Sequence, residues 1–218
     1  MKKLLCVLML GMVFGEDVPK QSSIKSGLKL TGGITFSTFY GDLAAYNDVN
    51  AVIGFRIGIE KILPIGLITG ISYTQRGINM ESTYYESFYD TNFKIENTVK
   101  LNYITWTNLK PISITKNINL LAGFELGYFK EGSLKYIDYG TTNEDGSLGS
   151  TGSSNFSTND FKECDCNVID FGLVLGLENK INDKMSLSST LFVGLQKVNI
   201  LLSDEKNMSL NLYLGHSL

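Results

Sequence analysis

Along residues 52–60, VIGFRIGIE, apolar and polar positions alternate almost without error. Ile53, Phe55, Ile57 and Ile59 hold one parity, while Gly54, Arg56, Gly58 and Glu60 hold the other. Strict period-2 alternation predicts a β-strand with two unlike faces. Seven further segments follow the same rule: residues 28–40, 65–76, 99–109, 120–129, 169–178, 186–196 and 208–218. Each is close to the roughly 9–11 residues of a tilted strand that crosses a bilayer.

The links between these segments have a rhythm of their own. Residues 61–64, 110–119 and 179–185 are the short connections, whereas 41–50, 77–98, 130–168 and 197–207 form the long set. Of these, 77–98 and 130–168 are markedly long, and 197–207 departs least from its short neighbours. An even number of strands joined by alternating long and short links predicts an all-β fold. Its form is an eight-stranded antiparallel up-and-down transmembrane β-barrel with both termini at the short-turn end. A Greek-key sandwich offers no reason for the rhythm. Charge follows the same division: Asp42, Glu81, Glu96, Asp138, Glu163 and Glu205 are among the acids of the long links. The short links carry Lys61, Lys110, Lys116, Lys180 and Lys184 against Asp183.

The two parities differ in a way that bears on what surrounds the barrel. The apolar parity holds no charge, whereas the other holds Lys29, Arg56, Arg76 and Lys100 against Glu60, Glu125, Asp170 and Glu178. Gly33, Gly54, Gly58, Gly70, Gly123 and Gly127 are among many glycines on that charged parity. A soluble barrel that binds an apolar ligand would put the apolar face inward and the polar face in water. Its surface would be rich in Lys and Glu, and repeated glycine would gain it nothing. In a membrane barrel the apolar face meets lipid, where a Lys or Arg at the midplane costs about 2–4 kcal/mol. The polar face then lines an interior just wide enough for side chains to fill. Small residues make room for a few long ones, and buried charges must pair. The membrane arrangement therefore fits the pattern better. Within it, the eight charges are expected to form a salt-bridged plug that holds the strands in register, with a narrow ion-conducting pore as the alternative.

Composition extends this reading at the ends of the chain. Lys2 and Lys3 precede an apolar run from Leu4 to Phe14, with Val13 and Gly15 at a small-residue cleavage pattern. Residues 1–15 read as a secretory signal peptide, residues 16–26 as a short N-terminal segment and residues 27–218 as the barrel domain. Once Lys2 and Lys3 are removed from the 19 basic residues, 17 remain against 22 acidic ones, a net charge of −5. No basic run with interleaved aromatics is present, so a nucleic-acid partner has no support.

Few residues invite site chemistry. His216 is the one histidine, so a histidine metal cluster is impossible, and no metal, cofactor or enzymatic activity is expected. Cys164 and Cys166 form a Cys-Asp-Cys pair. They suggest a local, strained and redox-sensitive disulfide over free thiols, and two thiols alone lack the further ligands of a zinc site. Tyr40, Tyr73, Tyr103 and Tyr128 sit near strand ends, where an interfacial girdle is expected. Residues 80–93 hold Tyr84, Tyr85, Phe88, Tyr89 and Phe93. They suit either a surface for a protein partner or a plain continuation of the neighbouring strands as a hairpin. Residues 140–159 are rich in Gly, Ser, Thr and Asn and read as a mobile external loop.

The last segment, MSLNLYLGHSL, places Leu210, Leu212, Leu214, His216 and Leu218 on one parity through to the end of the sequence. It resembles the C-terminal signal that the barrel-insertion machinery reads in outer-membrane proteins. With GLKLTGG at 27–33, ISYTQRG at 71–77, LNYITWTNLK at 101–110, LLAGFELGYF at 120–129 and DFGLVLGLE at 170–178, the chain resembles the PorT-like family of outer-membrane β-barrel domains. The resemblance implies a barrel in the cell outer membrane, in contact with its lipids, and no catalytic site. Any physiological role would lie in surface contact, envelope integrity or protein secretion.

Overall fold

The computed structural model describes residues 27–41, 48–86, 91–142, 148–158, 167–200 and 203–218. The proposed signal peptide, the N-terminal segment and the Cys164–Cys166 pair lie outside the described residues. Ten strands follow in order: β1 (Leu28–Tyr40), β2 (Asp48–Ile62), β3 (Ile68–Glu86), β4 (Thr91–Ser113), β5 (Ile118–Thr142), β6 (Leu148–Ser157), β7 (Ile169–Lys180), β8 (Met185–Gly194), β9 (Val198–Ile200) and β10 (Ser203–Ser217).

Eight of the ten close a ring in the order β1-β2-β3-β4-β5-β7-β8-β10, and β10 pairs back onto β1. The closing ladder is antiparallel and unbroken from Lys29 opposite Ser217 to Tyr40 opposite Lys206. Closure gives every ring strand a partner on both sides and leaves no edge within the ring, the condition a barrel must meet where water is absent, with one interruption of the β2–β3 ladder between Ala51 and Arg56. The two extra strands are appendages: β6 pairs with β5, and the three-residue β9 pairs with β10.

Short turns gather at one end. Gly66 takes a φ of 73° in the β2–β3 turn, a left-handed conformation that suits glycine. There the Gly66 amide donates to the Leu63 carbonyl at 2.9 Å. In the β7–β8 turn the Asn182 side-chain oxygen accepts from the amides of Lys184 and Met185, both at 2.9 Å, an Asx-type turn. The Leu218 amide reaches the Leu28 carbonyl at 2.9 Å, so β1 begins and β10 ends at this same short-turn end.

The opposite end is more built-up than the alternation predicts. β3, β4 and β5 run to 19, 23 and 25 residues, against 12 for β7 and 10 for β8. Pairing of β3 with β4 continues to Glu86 opposite Thr91, so residues 77–98, expected as a long link, are mostly strand. The aromatic stretch 80–93 accordingly joins a hairpin, with residues 87–90 outside the described residues. Within the stretch expected as a mobile loop, residues 148–157 form β6, paired with β5 from Glu131 opposite Ser157 to Thr142 opposite Leu148. The ladder to β5 supplies the backbone partners that a Gly/Ser-rich segment would otherwise take from water.

Candidate functional site

On every ring strand one parity points outward, and across the ring's middle it is predominantly apolar. Leu30 and Ile34 of β1, Ile53 and Ile57 of β2, Ile71 of β3, Ile104 and Trp106 of β4 and Leu126 of β5 stand exposed. Leu173 and Leu175 of β7, Leu187 and Leu191 of β8, and Leu210 and Leu214 of β10 complete the belt. His216 and Leu218 lie at the lower rim of that outer face, both exposed. Tyr73 and Tyr128 border the belt on the outside, as a girdle requires, with Tyr128 44 % exposed.

The inward parity carries the charges. Near the short turns Lys29 Nζ lies 2.8 Å from Glu178 and 3.2 Å from Glu60. The Asn119 amide donates to the other Glu178 oxygen at 2.9 Å. Space for the lysine stem comes from Gly215, where a Cβ would stand 2.9 Å from Lys29 Cδ. Space for Glu60 comes from Gly70, where a Cβ would come within 2.8 Å of Glu60 Cγ.

Higher in the ring a second network is continuous. Arg56 donates to Glu125 at 2.6 Å and to the Thr107 hydroxyl at 2.9 Å, and that hydroxyl donates to Glu125 at 2.9 Å. Arg76 pairs with the other Glu125 oxygen and with Asp170, the latter at 2.7 Å. Asn207 donates to the same Asp170 oxygen at 2.7 Å. Both guanidiniums also lie over aromatic faces, Arg76 at 3.9 Å from the Phe192 ring centroid and Arg56 at 5.7 Å from that of Tyr213. Cation–π contact of this kind is favourable once water is excluded. Arg76 and Glu125 are essentially inaccessible.

Seven of the eight charges expected inside are therefore inside and joined: Lys29, Arg56, Arg76, Glu60, Glu125, Asp170 and Glu178. Lys100 is not among them. On β4 the inward parity is Val99, Leu101, Tyr103, Thr105, Thr107 and Leu109, all buried, while Lys100 shares the outward parity of Ile104 and Trp106. Tyr103, expected in the outer girdle, is likewise inward and 1 % exposed. The apolar count on β4 misleads because its upper inward residues pack in a hydrophobic cluster. That cluster, Phe39, Ile78, Met80, Val99, Leu101, Tyr103, Phe129 and Val198, fills the barrel above the charges.

Glu205 is the inward residue that sequence reasoning missed. Expected in a long acidic link, it sits in β10 at 2 % exposure. The signal available was its parity with Asn207, Ser209 and Asn211, all buried. Among the described residues no group of three metal-ligating side chains converges.

No protein-family profile matches the chain, and no curated protein matches it. Solved structures similar to it include Ail, the attachment invasion locus protein of Yersinia pestis, at 14% identity and a TM-score of 0.47, covering 88% of this chain and 99% of that one. Neisserial surface protein A gives 15% and 0.48, over 88% and 98% of the two chains. The outer membrane protein OprG from Pseudomonas aeruginosa gives 11% and 0.38, over 89% and 97%. At these scores the likenesses are loose, and the barrel stands on this chain's own closed register.

Proposed function

We propose that the chain is an integral outer-membrane β-barrel protein, non-enzymatic, with an interior filled by its own side chains. One observation carries the reading: all eight ring strands turn apolar side chains outward while the charges lie buried within. In water such a belt far exceeds the apolar patches that soluble monomers expose, whereas in lipid it is the surface the solvent selects. A secreted barrel that binds an apolar ligand needs the reverse arrangement. The paired Lys29, Arg56 and Arg76 clusters favour a plug over a conducting pore, since barrels with aqueous channels have roughly 16 strands or more. The final strand, with Leu210, Leu212, Leu214, His216 and Leu218 outward, is what the insertion machinery would engage. The role at the surface, in contact with a partner, in envelope integrity or in secretion, falls to the sheet and links beyond the belt.

Trp106, the single tryptophan, is a built-in reporter because it lies in the belt at 45 % exposure. In vesicles its emission is expected to be blue-shifted and quenched by lipids brominated on their chains, with little quenching by aqueous acrylamide. Ready acrylamide quenching, or release of the protein from cell membranes by carbonate without detergent, would overturn the reading.

A further inference from the structure

Just beyond the belt the outer wall changes character over β3 to β6. On β3 the outward residues pass from Tyr73 to Gln75, on β4 from Ile104 to Asn102, and on β5 from Tyr128 to Glu131. Gln75 donates to Asn102 at 3.0 Å, and the Tyr73 hydroxyl donates to Glu131 at 3.3 Å. That first polar row is thus tied together within the protein.

The next two rows are not. Lys100, Ser133 and Asn155 stand side by side on β4, β5 and β6, and Thr98, Lys135 and Ser153 form the row above. Among the described residues none of these six has a side-chain hydrogen bond or an ion pair. Lys100 and Lys135 are diagonal neighbours across β4 and β5, within joint reach of one anion. An open hollow of about 480 Å³ lies against Asn102, Glu131, Ser133, Asn155 and Ser157 on the same wall.

We propose that this wall binds the phosphorylated, hydroxyl-rich headgroup of a lipid in the adjoining leaflet. The proposal rests on the membrane reading above, which places the two rows beside headgroups and the belt beside acyl chains. Two ammonium groups with no carboxylate partner supply the phosphate contacts. Asn155, Ser133 and Ser153 supply donors and acceptors for hydroxyls, and Glu131 accepts from one more. A lysine on the lipid-facing parity is costly at the midplane but favourable at the headgroup level, where its stem lies along apolar surface and its charge reaches out.

The test uses the full-length protein in phosphatidylcholine nanodiscs, with bound lipid counted by native mass spectrometry. The discs contain a bis-phosphorylated glucosamine disaccharide lipid (lipid A), the same lipid dephosphorylated, or neither. Retention of the phosphorylated form is expected to exceed the dephosphorylated form by about tenfold. The double variant Lys100→Ala/Lys135→Ala should lose that preference, and Lys61→Ala/Lys110→Ala at the opposite end should keep it. Folding of each variant is checked by the mobility shift between unheated and boiled samples. Equal retention of the two lipids, or a preference that survives the Lys100/Lys135 double variant, overturns the site and leaves the membrane reading standing. Failure of the wild-type protein to enter the discs overturns both.

Discussion

The same strands are inside out in their lower half and ordinary in their upper half. In the ring, β3, β4 and β5 turn Ile71, Trp106 and Leu126 outward, and Arg76, Thr107 and Glu125 inward. Beyond Gln75, Asn102 and Glu131 the order reverses. Ile78, Met80, Val99 and Leu101 face inward, and Lys100, Ser133 and Lys135 face out. β3 and β4 carry their parity straight through the change, β4 from Leu109 to Val99, whereas the β2–β3 ladder shifts register between Ala51 and Arg56 at the same level. β5 changes parity by a bulge at Lys130, where Asn102 pairs with Glu131 and the next residue, Tyr103, pairs with Phe129. The contrast teaches that solvent, not strand geometry, assigns the faces. Where lipid surrounds the wall the charges go inside and must be paired. Where water surrounds it the apolar residues go inside and the hydrophobic effect holds the sheet together.

The sharpest way to break the lower half is Glu125→Gln, which removes the carboxylate shared by Arg56 and Arg76. Leaving two buried guanidiniums short of a partner is expected to cost about 3–5 kcal/mol. Urea unfolding from detergent micelles, followed by Trp106 fluorescence, reads the loss as a lower midpoint. A loss below about 1 kcal/mol would mean that water already reaches these groups, as in an open pore.

The upper half is tested by Leu101→Ala. Leu101 is fully buried beside Val99 and Phe129 in the upper cluster, and truncation there is expected to cost about 2–5 kcal/mol. Because this core lies beyond the belt, the loss should be the same in micelles of short-chain and long-chain detergent. A dependence on chain length would place the cluster at bilayer depth and erase the contrast.

How far each half could be read from the sequence follows from the same inversion. β2 and β7 lie almost wholly in the ring, and their alternation placed Arg56, Glu60, Asp170 and Glu178 on the inner face. β4 crosses the boundary, so Val99, Leu101 and Tyr103 resemble a lipid-facing row although they line the interior. Counting apolar residues over the whole segment then put Lys100 on the wrong face. Thr105 and Thr107, small and polar, were the residues that marked the inner parity. The ends of the long arms and β6 are not legible because residues 81–98 and 148–157 hold no regular row of apolar residues at alternate positions. Nor does any local pattern announce the bulge at Lys130. Glu205 was hidden for a similar reason, since Asp204 and Lys206 beside it make the stretch look like a solvated link.

The belt itself is tested by Leu175→Arg. Leu175 is 57 % exposed at the middle of β7, flanked on its face by Leu173 and Leu177. In lipid the arginine is expected to cost about 2–4 kcal/mol. The effect should appear as a smaller fraction of protein that folds into vesicles and resists mobility change without boiling. In a soluble barrel the same substitution would add a charge to a wet surface and improve solubility, so an unchanged or higher folded fraction in vesicles would remove lipid from the account of the belt.

The smallest expected effect is the most exact probe of where the polarity turns over. Lys100→Leu should change unfolding free energy in plain detergent micelles by no more than about 0.5 kcal/mol, as for a surface side chain without partners. Its placement predicts this: the residue lies opposite Gly77 and Ser133 on the outer face, clear of the seven charges inside. Those seven comprise three cations and four carboxylates. Were Lys100 instead a fourth cation among them, its removal would leave a buried carboxylate without its partner, at a cost of several kcal/mol. A null result therefore fixes the boundary between Ile104 and Lys100 on β4. A large loss would move Lys100 to the interior, make Ile104 and Trp106 inward residues as well, and take the strongest part of the outer belt with them.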